Sequence, residues 1–509
     1  MYQISRKNRF LALFSLSLGI FFAADDQTVV VTVLPEIMKD LSLNVTDIDK
    51  AAWTITGYLL GYVSIMPISG RLSDMFNRRN VYLVAITLFM VGSIGTGITN
   101  LNFEQIGSLA NESLILSKFT RLTETIEWVI ATRIFQAIGA GALIPISIAL
   151  IGDLFSTDDR GIPYGIIGAS AEAGAVLGPI WGAVIDSIWH WKAIFWLNVP
   201  IGLIIVVFVY LTVPNKTTSP KNKLDLTGAT LVSVGIISIT YAFSKVSNSN
   251  LMFLMWGLIG TISLLIFYFK SKNLEHSIIP LEIFRNRAFV AANFVHFLYG
   301  TSLIIVMVTI PLMANTVLSG DSLKGGLMLT RLTIAIVPSA IVGGYLSKKY
   351  ELRLFCIPSL LVGAFTLFLI SRWDSTISDP HMSIQLILCG TVFGILIAPI
   401  TVAAIDNSQK ELRGSAAGII TASRFLGMTI GIAGLSAWGA GRFQNLASGI
   451  SLPIPKSGES SLNFLQRTQN FELELLSVGT ELFSNFFLIA AAICILAIFP
   501  FLFIKKKKS

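Results

Sequence analysis

Apolar runs long enough to cross a bilayer recur along the whole chain, broken by short polar links, and that pattern predicts membrane helices. The runs fall at about 11–35, 51–70, 81–99, 128–151, 164–186, 191–213, 226–244, 251–270, 288–311, 325–346, 354–371, 383–404, 414–438 and 482–504. Within them the apolar residues cover every face rather than one stripe, as expected for helices solvated by lipid and by one another. The expected class is therefore an all-α polytopic membrane protein of fourteen spans.

An even number of spans puts both termini on one side. Links on that side, from Arg6-Lys7 through Arg78-Arg79 and Lys348-Lys349 to Lys505–Lys508, hold about 23 of the 37 Lys and Arg, against about 11 on the other side. The bias assigns the termini to the cytoplasm and the protein to a plasma (inner) membrane. The segment Phe10 to Ala24, preceded by basic residues, imitates a secretory signal, but the run continues past Asp25-Asp26 to Pro35 and is expected to stay as the first span.

The link Gly70-Arg71-Leu72-Ser73 after the second span returns as Gly344-Tyr345-Leu346-Ser347 after the tenth. This repeat predicts two related six-helix bundles, residues 1–213 and 288–509, with a linker and two extra spans in 214–287. Parallel halves place a substrate path at their interface near the membrane midplane. Of the external segments, 100–127 is long and of mixed charge. Residues 439–481 carry Leu462, Leu465, Leu473 and Leu476 at roughly helical spacing, which suits a helix lying on the membrane or a loop packed on the outer ends of the spans.

Composition changes this picture little. With 53% hydrophobic and 13% charged residues and a mean hydropathy of +0.73, no soluble class fits. The net charge of +8 follows from the sidedness of Lys and Arg, so no nucleic-acid partner is implied. Cys356, Cys389 and Cys494 lie in predicted spans, the four His have no metal-binding spacing, and no Gly-Lys pair exists to build a phosphate loop. No metal, cofactor or catalytic residue is expected, and ATP is not expected to drive the protein.

Charged residues inside the spans carry the candidate chemistry, because each costs at least about 2.5 kcal/mol at the bilayer centre on insertion scales. Asp26 and Arg133 fall at similar depth in the first and fourth spans. Glu172 and Arg424 fall at similar depth in the fifth and thirteenth, one in each half. A carboxyl group that alternates between a dry site and an Arg partner binds and releases protons, whereas the same pair held static only fixes helix register. Arg331 sits near the outer end of its span, where it can snorkel, and His296 suits a hydrogen-bonded core position. Gly178-Pro179 in the glycine-rich fifth span is the expected hinge.

The loop Gly70-Arg71-Leu72-Ser73-Asp74-Met75-Phe76-Asn77-Arg78-Arg79 joins close helix approach at Gly70 with a capping carboxylate, Asp74, and the basic residues Arg71, Arg78 and Arg79. It resembles the signature loop of the major facilitator superfamily, with Asn77 where a Gly is usual. The stretches Asp26 to Pro35, Arg133 to Gly139, Gly178-Pro179 and Trp191 to Pro200 resemble the fourteen-helix drug:proton antiporter branch. Tyr58 to Tyr62, Glu172 and Arg424 to Met428 look like the mycobacterial exporters of triacylglycerides. That resemblance implies two six-helix bundles with two extra helices between them, and the loop 70–79 as a conformational gate. It further implies proton coupling through Asp26, Glu172, Arg424 and Arg133, with the proton gradient as energy source. The implied substrates are hydrophobic small molecules or membrane lipids, with an external lipid-carrying lipoprotein as partner. A multidrug:proton antiporter for drugs and cationic dyes remains open, as does a membrane receptor that transports nothing. The link 371–382 is shorter than the external extension of those lipid exporters.

Overall fold

The computed structural model describes residues 6–43, 48–51, 53–100, 122–215, 225–246, 250–272, 274, 277–318, 322–454 and 460–504. Fourteen long helices follow in order: α1 (Arg6–Asp40), α2 (Trp53–Met75), α3 (Arg78–Gly97), α4 (Ile126–Leu154), α5 (Gly161–Ile188), α6 (Trp191–Thr212), α7 (Leu226–Lys245), α8 (Asn250–Lys272), α9 (Arg287–Thr316), α10 (Ser322–Lys349), α11 (Leu352–Ile370), α12 (His381–Asp406), α13 (Arg413–Ala447) and α14 (Ser461–Phe501). A four-residue turn, Ile48–Ala51, precedes α2, and short 3-10 turns at Leu281–Arg285 and Lys410–Leu412 lead into α9 and α13. No strand occurs among the described residues.

An all-helical answer follows from lipid as solvent, since a helix pairs its own N–H and C=O groups where no water can. Thirteen of the helices are long and apolar enough to cross a bilayer. The other, α2, carries Thr54, Ser64, Ser69, Arg71 and Ser73, all buried, because it is sandwiched between α4 and α13. Its polar positions face protein, not lipid.

Within the first six helices, α1 packs on α5, and α4 packs on α2 and α3; within the last six, α10 packs on α12, and α9 on α13 and α14. The main contacts joining the sets are α2 with α13 and α5 with α10, with smaller ones of α4 with α13 and α5 with α12. The extra helices α7 and α8 pack on each other, with α7 against α2 and α13. On α8, Leu254, Leu258, Leu265 and Phe269 are exposed, the expected face toward lipid. Both ends of the described chain reach one face: the Phe10 ring lies 6.3 Å from Phe155 at the end of α4, and Arg353 at the start of α11 donates to the Ile504 carbonyl at 2.9 Å.

The outer ends of α13 and α14 correct one expectation. Of residues 439–481, those to Ala447 continue α13 and those from Ser461 belong to α14, so the described part is mostly the extension of two spans and not a separate helix or one long loop. At about 1.5 Å per residue, the 41 residues of α14 reach about 60 Å, twice the ~30 Å apolar core of a bilayer. The sequence places the last span from 482 because Glu472, Glu474 and Glu481 interrupt the apolar run, although Leu462, Leu465 and Leu473 lie exposed among them. Arg442 of α13 pairs with Glu481 of α14 at 2.8 Å near its base. Most of the 100–127 link, residues 216–224, Pro455 and Lys505–Lys508 lie outside the described residues.

Candidate functional site

The two charge pairs expected from depth alone both form. Asp26 and Arg133 make an ion pair with side chains 1% and 0% exposed. Arg133 Nη2 also donates to the Asp26 carbonyl at 2.9 Å and Nη1 to Gln136 Oε1 at 2.7 Å, while the guanidinium lies 4.1 Å from the Tyr58 ring centre. Gln136 and Asn198 each donate to Asp26 Oδ1 at 3.0 Å and also to Ser93 Oγ. This closed network ties α1, α3, α4 and α6 together inside the first six helices. A buried pair is stabilised when its remaining lone pairs and protons are also satisfied; here the two amides serve the Asp26 carboxylate and Gln136 serves Arg133 Nη1, while Arg133 Nε has no hydrogen-bond partner among the described residues.

Glu172 and Arg424 form the second ion pair, also buried, and this one joins α5 to α13 across the two sets of helices. Arg424 lies 5.5 Å from the Tyr299 ring and 5.8 Å from that of Phe425. Beside it is a cavity of about 30 Å³, room for roughly two waters, walled by Ile144, Ile148, Ile167 and Ile397 with His296, Thr401 and Thr421. His296 holds the core position expected of it, its Nδ1 2.8 Å from the Ile420 carbonyl oxygen. Arg331 pairs with Asp379 at 3.1 Å and is a third exposed, so it belongs to the outer rim.

Between this pair and the terminus-side face the seam is shut. A Cβ on Gly70 of α2 would overlap the Gly414 carbonyl of α13, and one on Gly161 of α5 would overlap the Gly344 carbonyl of α10. Only glycine allows backbones to come so near. Around these contacts Arg160 pairs with Asp406, Arg413 with Asp153 at 3.7 Å, and Lys348 with Asp159 at 2.6 Å. Hydrogen bonds from Lys348 and Ser156 hold the exposed Asp159 carboxyl below its usual range. Past Glu172, α5 turns its glycines the other way: Gly174 and Gly178 pack on the α1 backbone at Phe21 and Asp25. Gly178 is thus a contact with α1, and Pro179, half-buried, sits inside the continuous α5.

The segment 70–79, expected as a loop, is helical through Met75 at the end of α2 and again from Arg78 in α3, and its residues divide their labour. Asp74, its side chain 1% exposed, accepts from Gly414 N and Ser415 N at 2.7 Å and from Ser415 Oγ at 2.8 Å, so it caps a helix 340 residues away. The cap of the next helix, α3, is Asn77, the residue that replaces the usual glycine. Arg78 bridges Asp74 and Asp153 at 2.8 Å each, and Arg79 reaches the Tyr210 and Val213 carbonyls of the α6 end at 3.4 Å. Arg71 is buried and makes no hydrogen bond or ion pair among the described residues.

Sequence reasoning missed Ser93 as a partner and gave Gln136 and Asn198 no role of their own; uncharged amides in a span are costly too, and that was the available signal. It also passed over Asp25, buried next to Asp26, whose Oδ1 has no hydrogen-bond partner among the described residues.

This arrangement has relatives. The profile of the Major Facilitator Superfamily matches residues 16–432. The chain belongs to that superfamily. It is thus an integral membrane transporter and not an enzyme. It is 28% identical over 511 residues to a triacylglyceride transporter of Mycolicibacterium smegmatis, covering 97% of this chain and 87% of that one. It is likewise 28% identical over 510 residues to a triacylglyceride transporter of Mycobacterium tuberculosis, covering 96% and 93%. Among solved structures, a human organic anion transporter superposes with a TM-score of 0.58 at 13% identity, covering 96% of this chain and 99% of that one. The fucose:proton symporter of E. coli gives 0.56 at 12%, covering 96% and 99%. These two establish the fold alone.

Proposed function

We propose that this transporter is a proton-driven exporter of neutral membrane lipids, triacylglycerides among them, working by alternating access between its two six-helix bundles. The observation that carries the reading is the Glu172–Arg424 pair, buried between the bundles just past Gly161, Gly165 and Gly168, the α5 glycines that pack across the seam. In the outward-facing state Arg424 neutralises Glu172. Protonation of Glu172 removes one charge, the attraction across the seam falls, and α5 and α13 separate. Asp26 and Arg133 form the second proton-sensitive pair, which couples the packing of α1 to the same cycle.

The likeness to triacylglyceride transporters over nearly the full length supports a lipid substrate. With the termini in the cytoplasm of a plasma membrane, the outer halves of α13 and α14 stand on the far side, placed to hand lipid to an external carrier protein. No cofactor enters the cycle. One proton moving inward down about 150 mV releases roughly 3.5 kcal/mol, enough for a gradient of a few hundredfold in an uncharged substrate.

Purified protein in liposomes with an imposed pH gradient, given a fluorescent neutral lipid and a cationic dye side by side, tests the reading. Gradient-dependent transfer of the lipid supports it. Transfer of the dye alone replaces it with multidrug:proton antiport, and no flux of either supports a receptor.

A further inference from the structure

Arg71 is the odd charge in this protein. Its side chain is 9% exposed, yet no hydrogen bond or ion pair reaches it among the described residues, and its Nε is without a partner. The nearest carboxylate along α2, Asp74, is already committed to Arg78 and to the start of α13. Its Nε is closed off while the two Nη atoms face outward into open space, so the guanidinium presents unused donors to whatever fills that space.

What Arg71 opens into is a pocket of about 790 Å³ between the terminus-side end of α8 and the Leu281–Arg285 turn. Lys272 and Arg285 add positive charge to its lining, Ser271 and Ser277 add hydroxyls, and Phe267 and Tyr268 make its apolar wall. Glu282 and Glu411 also line it, so three cationic side chains face two carboxylates; Lys272, Arg285 and both Glu are exposed and screened alike, and Arg71 is the one charge set inside the recess. The wall continues into the lipid-facing side of α8 through Leu265 and Phe269, 50% and 64% exposed. A cationic recess that merges into a membrane-facing apolar surface matches an anionic phospholipid, phosphate inward and acyl chains along the helix.

We propose that this pocket binds an anionic phospholipid headgroup of the terminus-side leaflet, with its phosphate on Arg71 and Arg285. The site is separate from the substrate path and independent of what is exported. Its position gives it a consequence: Arg71 follows Gly70, which touches Gly414, so the bound lipid fastens the extra pair and the turn before α9 to the shut seam. Occupancy favours the seam-closed state.

The full chain in nanodiscs of phosphatidylcholine, with and without a minor fraction of phosphatidylglycerol, tests this by native mass spectrometry of retained lipid. The expected result is selective retention of phosphatidylglycerol, weakened roughly tenfold by Arg71→Gln and about fivefold by Arg285→Gln, which lies outside the seam. Arg71→Lys restores most of the retention, and Lys349→Gln, on the same face but off the pocket, leaves it unchanged. Retention that ignores both Gln variants overturns the proposal. So does a pocket filled equally well by inorganic phosphate without lipid, since the site would then serve a soluble anion.

Discussion

Replacing Asp74 by Asn isolates the terminus-side seam. The carboxylate accepts three hydrogen bonds from α13, at 2.7, 2.7 and 2.8 Å, besides its pair with Arg78. Bonds to a charged group contribute about 1.5–3 kcal/mol each, and the single carbonyl of Asn keeps part of the set, so the net loss is about 2–4 kcal/mol. At ~1.4 kcal/mol per decade, the closed seam loses roughly 30- to 700-fold against the open one. Spin labels at Asp158 and Lys349, exposed on opposite sides of the seam, read this out as a distance distribution. In the parent a short distance dominates; in Asp74→Asn a long component takes over or becomes comparable, while Ser415→Ala, which removes one bond, moves the balance by only about tenfold. An unchanged distribution in Asp74→Asn would refute the assignment of Asp74 as the lock between α2 and α13.

Other consequences follow from the same geometry. Gly344→Val places a side chain against the Gly161 carbonyl, so it holds the seam apart and gives the long distance in the same label pair whatever the pH. Arg133→Ala leaves Asp26 buried with only Gln136 and Asn198, a loss of about 3–5 kcal/mol that lowers the thermal midpoint by several degrees in a detergent melt. At the surface, the lowered Asp159 carboxyl contributes to the closed seam at any pH above the usual carboxylate value near ~4, and that contribution fades only as pH falls through its depressed value. A shift from pH 8 to pH 5 therefore leaves the Asp159–Lys348 bridge intact. A change in label distance over that range that persists when His190, His276 and His381 are replaced, and is lost in Glu172→Gln, belongs to the Glu172–Arg424 pair.

The spans were legible because lipid imposes one rule on every residue of a crossing helix; boundaries agree within a few residues wherever a helix ends at the membrane surface. They fall short at α13, which runs on to Ala447, and at α14, whose first half mixes Glu472, Glu474 and Glu481 with exposed leucines, so hydropathy does not mark its start. Depth arithmetic paired Asp26 with Arg133 and Glu172 with Arg424, since an ion in a membrane needs a partner at its own level. It could not assign Asp74 to Gly414 and Ser415, because capping is ordinarily local and this cap spans two bundles. Nor could it separate Arg71 from Arg78 and Arg79: all three look alike in a basic loop, and only packing shows that the first is buried without a partner.

The most direct test of the account is the initial rate of fluorescent triacylglyceride transfer in liposomes under an imposed pH gradient, comparing the parent with Glu172→Gln. The account predicts gradient-dependent transfer in the parent, none in the variant, and lipid binding in both. Equal gradient-driven transfer by the two proteins would contradict it, because the cross-bundle carboxyl would then have no part in coupling.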